Sequence, residues 1–497
     1  MSNKNLSIVF KDISQNLIKE IFHRNQIFIS TFILIFIASL TFCLPSYGIE
    51  VSNVNNDSLK VKVDSAAVQV LRETGTPSAS VAVVLHGKII YTKAYGDARL
   101  DPPTPATIEM RYAIGSISKQ FTAACILLLE QEGKLSLDDH ISKWLPDLTD
   151  ANKVTVREVL SHTSGYQDFW PQDYVPPLML KPMPPKEILN RWAKKPLDFK
   201  PGTKWQYSNT NFVIAAQIVE KITHEPFFKF LHEKILNPLG LTSAVDFDKG
   251  KLTSEDPIGY MRYGLGPLRP APEEGEGWMA GAGELAMTPH DLAEWDISLI
   301  DESLLSPKSY KQLETEVLLK NGVGTHYGLG LQVGMMDNHR MIYHSGEVSG
   351  FTSDNLVFPD DSAAIVVLTN QDASSTAGAV ANRISKMFFK TQDAQTEMRT
   401  KEARQIFADL QQGKIDRSLF TNDANAYFSK QALEDFKSSL SPLGEPKEFT
   451  QTGQHKRGGM LERSFRVVFP DRKLRVWTYQ MPDGKLEQYQ VAPVSSE

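Results

Sequence analysis

The chain has 497 residues, with 53 basic and 59 acidic side chains and a formal net charge of −6 at pH 7. It is 41% hydrophobic and 23% charged, which is ordinary for a globular protein that buries a core. The acidic balance excludes the basic footprint of a nucleic-acid-binding protein, and the length predicts roughly two to four structural units.

The first 48 residues have the pattern of a targeting segment. Basic residues precede an apolar stretch over residues 27–44, and Ser46 and Gly48 place small side chains at −3 and −1 of a cleavage point. We expect a signal peptide over residues 1–48 and a secreted or periplasmic mature protein. An uncleaved membrane anchor is the alternative, because the apolar run is near the shortest length that spans a bilayer.

Two cysteines are present, and Cys43 would leave with the leader. The mature chain would then hold Cys125 alone and form no internal disulfide, which is compatible with a bacterial periplasm. Cys125 stands among apolar neighbours, so we interpret it as buried packing rather than as a nucleophile.

In chain order, the pattern predicts one domain with strands near both of its ends and helices and turns between them. The sequence predicts helices over residues 59–74, 116–132, 211–223 and 379–389, a hairpin over 80–91, a proline-rich loop over 166–206 with a short helix at 185–192, and strands over 327–333, 341–344, 354–358 and 363–369. Strands at both ends with helices between them indicate an α+β domain over residues 49–392. We expect an antiparallel sheet flanked by helices, with a helical insertion.

A second unit follows a polar segment at residues 391–400, which we interpret as a linker. Residues 401–497 predict a small α+β domain, with helices at 402–412 and 430–440 and strands at 462–469, 473–480 and 486–491. By pattern, this unit resembles the nuclear transport factor 2-like cone folds.

The first chemical motif is Ser116-Ile117-Ser118-Lys119. Positions i and i+3 share a helix face, so the Lys119 amine can lie beside the Ser116 hydroxyl. A serine becomes nucleophilic only with an adjacent base, and a lysine is a base only if its pKa is depressed. The alternative is a solvated pair on a helix surface.

The second motif is Tyr207-Ser208-Asn209. On an extended segment, Tyr207 and Asn209 would project to one side and face one cavity. There the phenol can relay a proton and the amide can hold a substrate carbonyl. The alternative is a buried tyrosine followed by a turn asparagine.

The third motif is His344-Ser345-Gly346 at a predicted strand end. Gly346 would let a substrate backbone approach closely. The backbone N–H groups of Glu347 and Ser116 can together form an oxyanion hole. The alternative is an ordinary strand end.

Taken in order, the three motifs resemble those of the serine β-lactamase and penicillin-binding superfamily. The resemblance is greatest to the branch of class C β-lactamases, D-alanyl-D-alanine carboxypeptidases and family VIII esterases. Further matching stretches lie at residues 121–123, 133–139, 160–165 and 280–285. The resemblance implies Ser116 as nucleophile, Lys119 and Tyr207 as the acid/base pair, and Asn209 and residues 344–347 as substrate-binding. It implies no cofactor, and no histidine pair has metal-ligand spacing.

The chain departs from class C β-lactamases at His344, where they carry lysine. This favours carboxypeptidase or esterase relatives over a dedicated β-lactamase, and it predicts a side chain that changes charge near neutral pH. We interpret His162 as structural, because Lys119 and Tyr207 already fill the base role, and Glu187 as helix surface.

These observations predict a secreted serine hydrolase that acts through a covalent acyl-enzyme at Ser116. Its small-molecule or peptide substrates would be D-alanyl peptides, esters or β-lactams. The alternative is a non-catalytic, penicillin-binding-like protein that binds or senses a ligand. The oligomeric state stays open.

Overall fold

The computed structural model describes residues 56–250, 252–337, 339–388 and 396–494. The predicted leader over residues 1–48 lies outside the described residues. Within the described ranges, no helix is both long enough and apolar enough to cross a bilayer. Contacts divide the chain into two units, Met1–Ser58 and Leu59–Glu497.

Strands and helices alternate through the larger part of the second unit. The described strands up to residue 388 are β1 (Ser78–Leu85), β2 (Lys88–Leu100), β3 (Pro103–Pro105), β4 (Tyr112–Ala113), β5 (Val245–Asp246), β6 (Tyr260–Met261), β7 (Arg269–Pro270), β8 (Leu285–Met287), β9 (Gln332–Met336), β10 (His339–Val348), β11 (Phe351–Phe358) and β12 (Ala363–Thr369). The described α-helices of the same region are α1 (Asn56–Thr74), α2 (Ser118–Gln131), α3 (Val156–Leu160), α4 (Trp170–Asp173), α5 (Pro185–Ile188), α6 (Asn209–Thr223), α7 (Phe227–Leu231), α8 (Pro289–Ile300), α9 (Pro307–Leu313) and α10 (Thr376–Phe388).

Seven strands form one antiparallel sheet in the order β3-β2-β1-β12-β11-β10-β9. Its central strands β1 and β12 are buried along their whole length, and their apolar runs are those of strands covered on both faces. Because β1 pairs with β12 from the far end of the domain, the helices between them form an insertion. The expected α+β architecture is therefore confirmed.

Helix α2 runs through the centre of this domain. Most of its residues are buried, and Phe121 stacks on Trp295 of α8 with ring centroids 4.2 Å apart. A 3₁₀ turn over Gly115–Ile117 precedes it. This turn lies against β10, where a Cβ at Gly115 would come within 2.7 Å of the Glu347 backbone nitrogen.

The predicted strand over residues 327–333 is wrong for most of its length. The strand β9 begins only at Gln332, and Tyr327 forms an isolated bridge to that residue. Gly330 has a φ of +75°, and a Cβ there would lie 2.5 Å from the Lys119 carbonyl oxygen. Glycine lets this segment lie against α2, so its backbone cannot continue a strand.

The C-terminal region forms three helices followed by a four-stranded antiparallel sheet. Its elements are α11 (Thr396–Gln411), α12 (Asn422–Tyr427), α13 (Lys430–Leu440), β13 (Glu448–Arg457), β14 (Met460–Val468), β15 (Lys473–Gln480) and β16 (Leu486–Pro493), with the strands adjacent in chain order. A hydrophobic core of its own includes Phe407, Phe465 and Val476. The likeness to cone folds and the separability of this region stay predictions.

Candidate active site

Ser116 lies in the 3₁₀ turn before α2, partly exposed between the buried residues Gly115 and Ile117. The Lys119 Nζ donates a hydrogen bond of 2.9 Å to the Ser116 Oγ. The structure thus brings together the two side chains that the helical spacing predicts. The neighbouring hydroxyl of Ser118 accepts a hydrogen bond from the Leu285 N–H, so it is held away from this role.

Lys119 is fully buried, which contradicts the alternative of a solvated surface pair. Its Nζ also donates to the Asn209 Oδ1 at 2.8 Å and to the Ala282 carbonyl oxygen at 2.6 Å. Burial lowers the pKa of Lys119 to about 7, while the negative charge of Asp168 acts in the opposite direction. A substantial fraction of the amine is therefore neutral near pH 7 and can accept a proton from Ser116.

Tyr207 lies over the same lysine, with the Nζ of Lys119 5.1 Å from its ring centroid. Burial raises the pKa of Tyr207 above its usual value, and the hydrogen bond between its phenol and Ser116 opposes that shift only in part. The phenol therefore keeps its proton at neutral pH. It is suited to donate a proton to a leaving group rather than to act as a phenolate base.

The sequence predicts that Asn209 lies on an extended segment, and this prediction is wrong. Asn209 is the first residue of helix α6, and Ser208 before it has extended backbone dihedrals. Its Oδ1 accepts from Lys119, and its backbone N–H donates to the Asp168 Oδ1 at 3.0 Å. Its amide therefore orients the lysine. Asp168 was missed by sequence reasoning, because an acidic residue in a proline-rich loop carries no local signal.

The third motif lies on β10, against the Ser116 turn. A Cβ at Gly346 would lie 1.9 Å from the Ile114 carbonyl oxygen, so only glycine permits this approach. A Cβ at Gly115, where φ is +51°, would lie 2.7 Å from the Glu347 backbone nitrogen. The backbone nitrogens of Ser116 and Glu347 therefore belong to adjoining segments, as an oxyanion hole requires.

A buried hydrogen-bonded chain links the second and third motifs through Tyr327. The His162 Nδ1 accepts from the Ser208 N–H at 3.2 Å, which leaves its Nε2–H to donate to the Tyr327 hydroxyl at 3.2 Å. That hydroxyl donates to the His344 Nε2 at 3.0 Å, and the His344 Nδ1–H donates to the Ser345 carbonyl oxygen at 2.6 Å. These partners assign the tautomer of each imidazole. Sequence reasoning missed Tyr327.

His344 is buried, and its burial, with the nearby charge of Lys119, lowers its pKa to about 3. The imidazole is therefore neutral throughout the working range, and the expectation that it changes charge near neutral pH is wrong. His162 is also buried, its pKa is lowered well below the usual value, and its ring centroid lies 4.3 Å from that of Tyr207. Its contacts fit the structural role that we inferred for it.

These groups open into one cavity of about 860 Å³. Its lining includes Ser116, Tyr207, Asn209 and His344–Glu347, together with Asp168, Trp170, Trp205, Gln332, Asp354, Gly378 and Asn382. Two other predicted positions lie elsewhere. Glu187 is partly exposed and pairs with Arg191 one helical turn away, and Cys125 is buried in α2. The cavity can hold an acyl group beside a serine that has a base and an acid within reach.

The chain is similar to a known protein family and to individual proteins. The family described as Beta-lactamase matches residues 63–385, which is more than half of the chain. Protein flp of Staphylococcus aureus (strain MRSA252) is 28% identical over 327 residues. That match covers 64% of this chain and 64% of the relative, so the chain spans less than two thirds of the relative's length.

Solved structures give two further likenesses. A D-stereospecific amidohydrolase from Streptomyces sp. is 27% identical with a TM-score of 0.57, and the match covers 66% of this chain and 98% of the other. The octameric penicillin-binding protein homologue from Pyrococcus abyssi is 21% identical with a TM-score of 0.59, covering 87% of this chain and 99% of the other. At that identity, the second likeness shows the fold alone.

Proposed function

The chain belongs to the beta-lactamase family, and from that premise we propose that it is a serine hydrolase working through a covalent acyl-enzyme at Ser116. One observation carries the proposal, namely the 2.9 Å hydrogen bond between the buried Lys119 amine and the Ser116 hydroxyl. A lysine with its pKa lowered to about 7 is a competent base at neutral pH.

Acylation begins when the neutral Lys119 amine takes the proton of the Ser116 hydroxyl. The freed oxygen forms a bond to the acyl carbon, and the carbonyl π electrons move onto its oxygen. The backbone N–H groups of Ser116 and Glu347 stabilise that negative charge. When the oxyanion reforms the carbonyl, the bond to the leaving group breaks. The Tyr207 phenol supplies the leaving group's proton, and the Lys119 ammonium restores the phenol's proton.

Deacylation repeats the sequence with water as the nucleophile. The neutral Lys119 amine removes a proton from water as the water attacks the ester carbonyl, and the Tyr207 phenol supplies the proton of the departing Ser116 oxygen and regains it from the Lys119 ammonium. The Ser116 oxygen leaves and recovers a proton, so the free acid and the original enzyme result. The protons balance within the Lys119–Tyr207–Ser116 group, with no cofactor needed.

The substrates that fit this chemistry are D-alanyl peptides, small esters and β-lactams. The name of the D-stereospecific amidohydrolase supports an amide substrate. A neutral His344 in place of lysine favours a carboxypeptidase or esterase over a dedicated β-lactamase. The non-catalytic ligand sensor is disfavoured, because burying an amine costs free energy and ligand binding alone gains nothing from it.

The proposal includes a location outside the cytoplasm. The apolar segment at residues 27–44, the small residues before position 49 and the lone remaining Cys125 support it. Mass analysis of the exported protein should give a chain that begins at Ile49. A full-length mass in the membrane fraction would indicate an uncleaved anchor instead.

The test of the nucleophile is intact-mass analysis after exposure to a neutral fluorophosphonate and to a labelled penicillin. The wild type should gain one fluorophosphonate adduct, and Ser116→Ala should gain none while keeping its circular dichroism spectrum. Ser118→Ala is the matched control, because Ser118 lies two residues away and should leave labelling intact. An adduct on Ser116→Ala, or its loss in Ser118→Ala alone, would contradict the assignment.

A further inference from the structure

The active-site cavity has a marked charge imbalance. Three carboxylates line it, those of Asp168, Glu347 and Asp354, whereas the described lining residues include neither lysine nor arginine. The one lining histidine, His344, is neutral because burial holds its pKa near 3. The Lys119 amine contacts the lining residues Ser116 and Asn209, but it is only partly charged at pH 7 and Asp168 offsets its charge. A substrate carboxylate would therefore meet net negative charge on the cavity wall.

Asp354 is placed in this cavity by the pleat of β11. It pairs with Ser345 of the third motif, and the next residue, Asn355, turns into the core to donate to Asp296. Since successive strand residues face opposite sides, Asp354 faces the cavity and helix α10. Gly378 in α10 gives it space, because a Cβ there would lie 3.0 Å from the Asp354 Oδ2.

One oxygen of this carboxylate has no hydrogen-bond donor. The Asp354 Oδ1 is shielded from solvent and has no partner among the described residues. Burial raises the pKa of Asp354 to about 7, so a nearby cation would favour its ionised form. A shielded carboxylate oxygen without a donor is costly, and a ligand with N–H groups would remove that cost.

Glu347 brings a second carboxylate to the same wall. Its side chain is exposed, and its Oε1 accepts from the Ala373 N–H at 2.8 Å, just before α10. The amino end of α10 carries a partial positive charge of roughly half an elementary charge, which alone would attract an anion. The charge of Glu347 together with that of the partly ionised Asp354 exceeds this half charge, so the wall as a whole favours a cation.

We propose that the cavity selects acyl substrates that carry an ammonium group, and that Asp354 and Glu347 are the residues that select it. This inference rests on the proposed function, because it concerns the substrate of the same serine. The Asp354 carboxylate pairs with the ammonium, and Glu347 supplies a second negative charge nearby. Acyl groups that carry a carboxylate at this position are disfavoured.

The test is protection against labelling by a neutral fluorophosphonate at pH 7, which reads binding without requiring turnover. Three amides are compared as protectants: D-alaninamide with its ammonium, neutral N-acetyl-D-alaninamide, and anionic N-succinyl-D-alaninamide. In the wild type, D-alaninamide should protect at a concentration at least about tenfold lower than the neutral amide, as expected for a hydrogen bond to a charged group. The anionic amide should protect least.

Asp354→Asn should reduce this ratio to near one, and Glu347→Gln should reduce it by a smaller factor. Glu445→Gln, which removes an exposed carboxylate of the C-terminal region, is the control that should keep the ratio. A purely steric effect of the acyl group would persist in Asp354→Asn. If circular dichroism shows that Asp354→Asn does not fold, the protection ratio measured in Glu347→Gln, a substitution at an exposed position, tests the inference instead.

Equal protection by the three amides, better protection by the anionic amide, or a ratio unchanged in the folded variants would overturn the inference while leaving the nucleophile intact. Absence of fluorophosphonate labelling in the wild type would overturn the proposed function itself, and the inference with it. The two failures are thus distinguishable.

Discussion

Lys119 illustrates how burial at one residue sets the pH dependence of the reaction. Its pKa is lowered to about 7, and only the neutral amine can take the Ser116 proton. For a neutral ester, kcat/KM should therefore fall about tenfold per pH unit below pH ~7 and level off above it. A limb at pH 9 or higher, where an ordinary lysine titrates, would contradict this assignment.

The charge of Asp168 raises the pKa of Lys119, in opposition to burial. Asp168→Asn should therefore move the acid limb of kcat/KM to lower pH, because the ammonium form of Lys119 loses a stabilising negative charge and its pKa falls. The exposed Asp147 offers a control, and Asp147→Asn should leave the limb in place. A limb that moves upward, or does not move in Asp168→Asn, would show that another group titrates.

At this scale, helical spacing was enough to predict that Ser116 and Lys119 meet, because three residues fix that geometry. The contacts that Asp168, Ala282 and Tyr327 make in the site depend on how distant segments pack, so no local sequence pattern predicts them. His344 was predicted in place but with the wrong charge behaviour. Its burial comes from the tertiary structure rather than from its neighbours in sequence.

At the scale of elements, the turn before α2 must lie directly against β10. Gly115→Ala should abolish fluorophosphonate labelling, because the added Cβ would lie 2.7 Å from the Glu347 nitrogen and push the two segments apart. Gly133→Ala is a matched control, since Gly133 also has a positive φ, +68°, but nothing lies within 4 Å of its Cβ. Labelling that survives in Gly115→Ala would show that this close approach is not required.

The buried chain from His162 through Tyr327 to His344 joins the elements that carry the second and third motifs. Tyr327→Phe leaves two imidazole nitrogens without their partner and should lower the free energy of unfolding by about 1–3 kcal/mol. Chemical denaturation measures this change. Tyr343→Phe, on the partly exposed face of β10, should change it little. Equal effects of the two variants would indicate that the chain does not stabilise the fold.

Strong periodicity made most elements predictable, and β15 and α13 were predicted over the residues they occupy. The strand β13 was missed, because Glu448–Arg457 is polar and contains a glycine. Likewise, α11 begins at Thr396, inside the polar stretch that we interpreted as a linker. In both cases, packing on the C-terminal core selects a structure that composition alone does not favour.

For the whole molecule, the C-terminal region has its own hydrophobic core, distinct from the core around α2. We therefore predict that a chain ending after Gln392 stays soluble and reacts with the fluorophosphonate at the wild-type rate. Size-exclusion chromatography and labelling kinetics check this prediction. Aggregation or slower labelling would show that residues 401–497 complete the catalytic domain.

We propose that substrate acylates Ser116 and that water then hydrolyses the acyl-enzyme. The most direct test of this proposal is rapid-quench intact-mass analysis during turnover of a small ester. We expect an adduct with the mass of the acyl group, located on the Ser116 peptide, that forms first and then disappears as the enzyme returns to its original mass. Two results would contradict this proposal. In one, the wild type forms product without any such adduct, although Ser116→Ala abolishes turnover. In the other, the adduct forms and never decays.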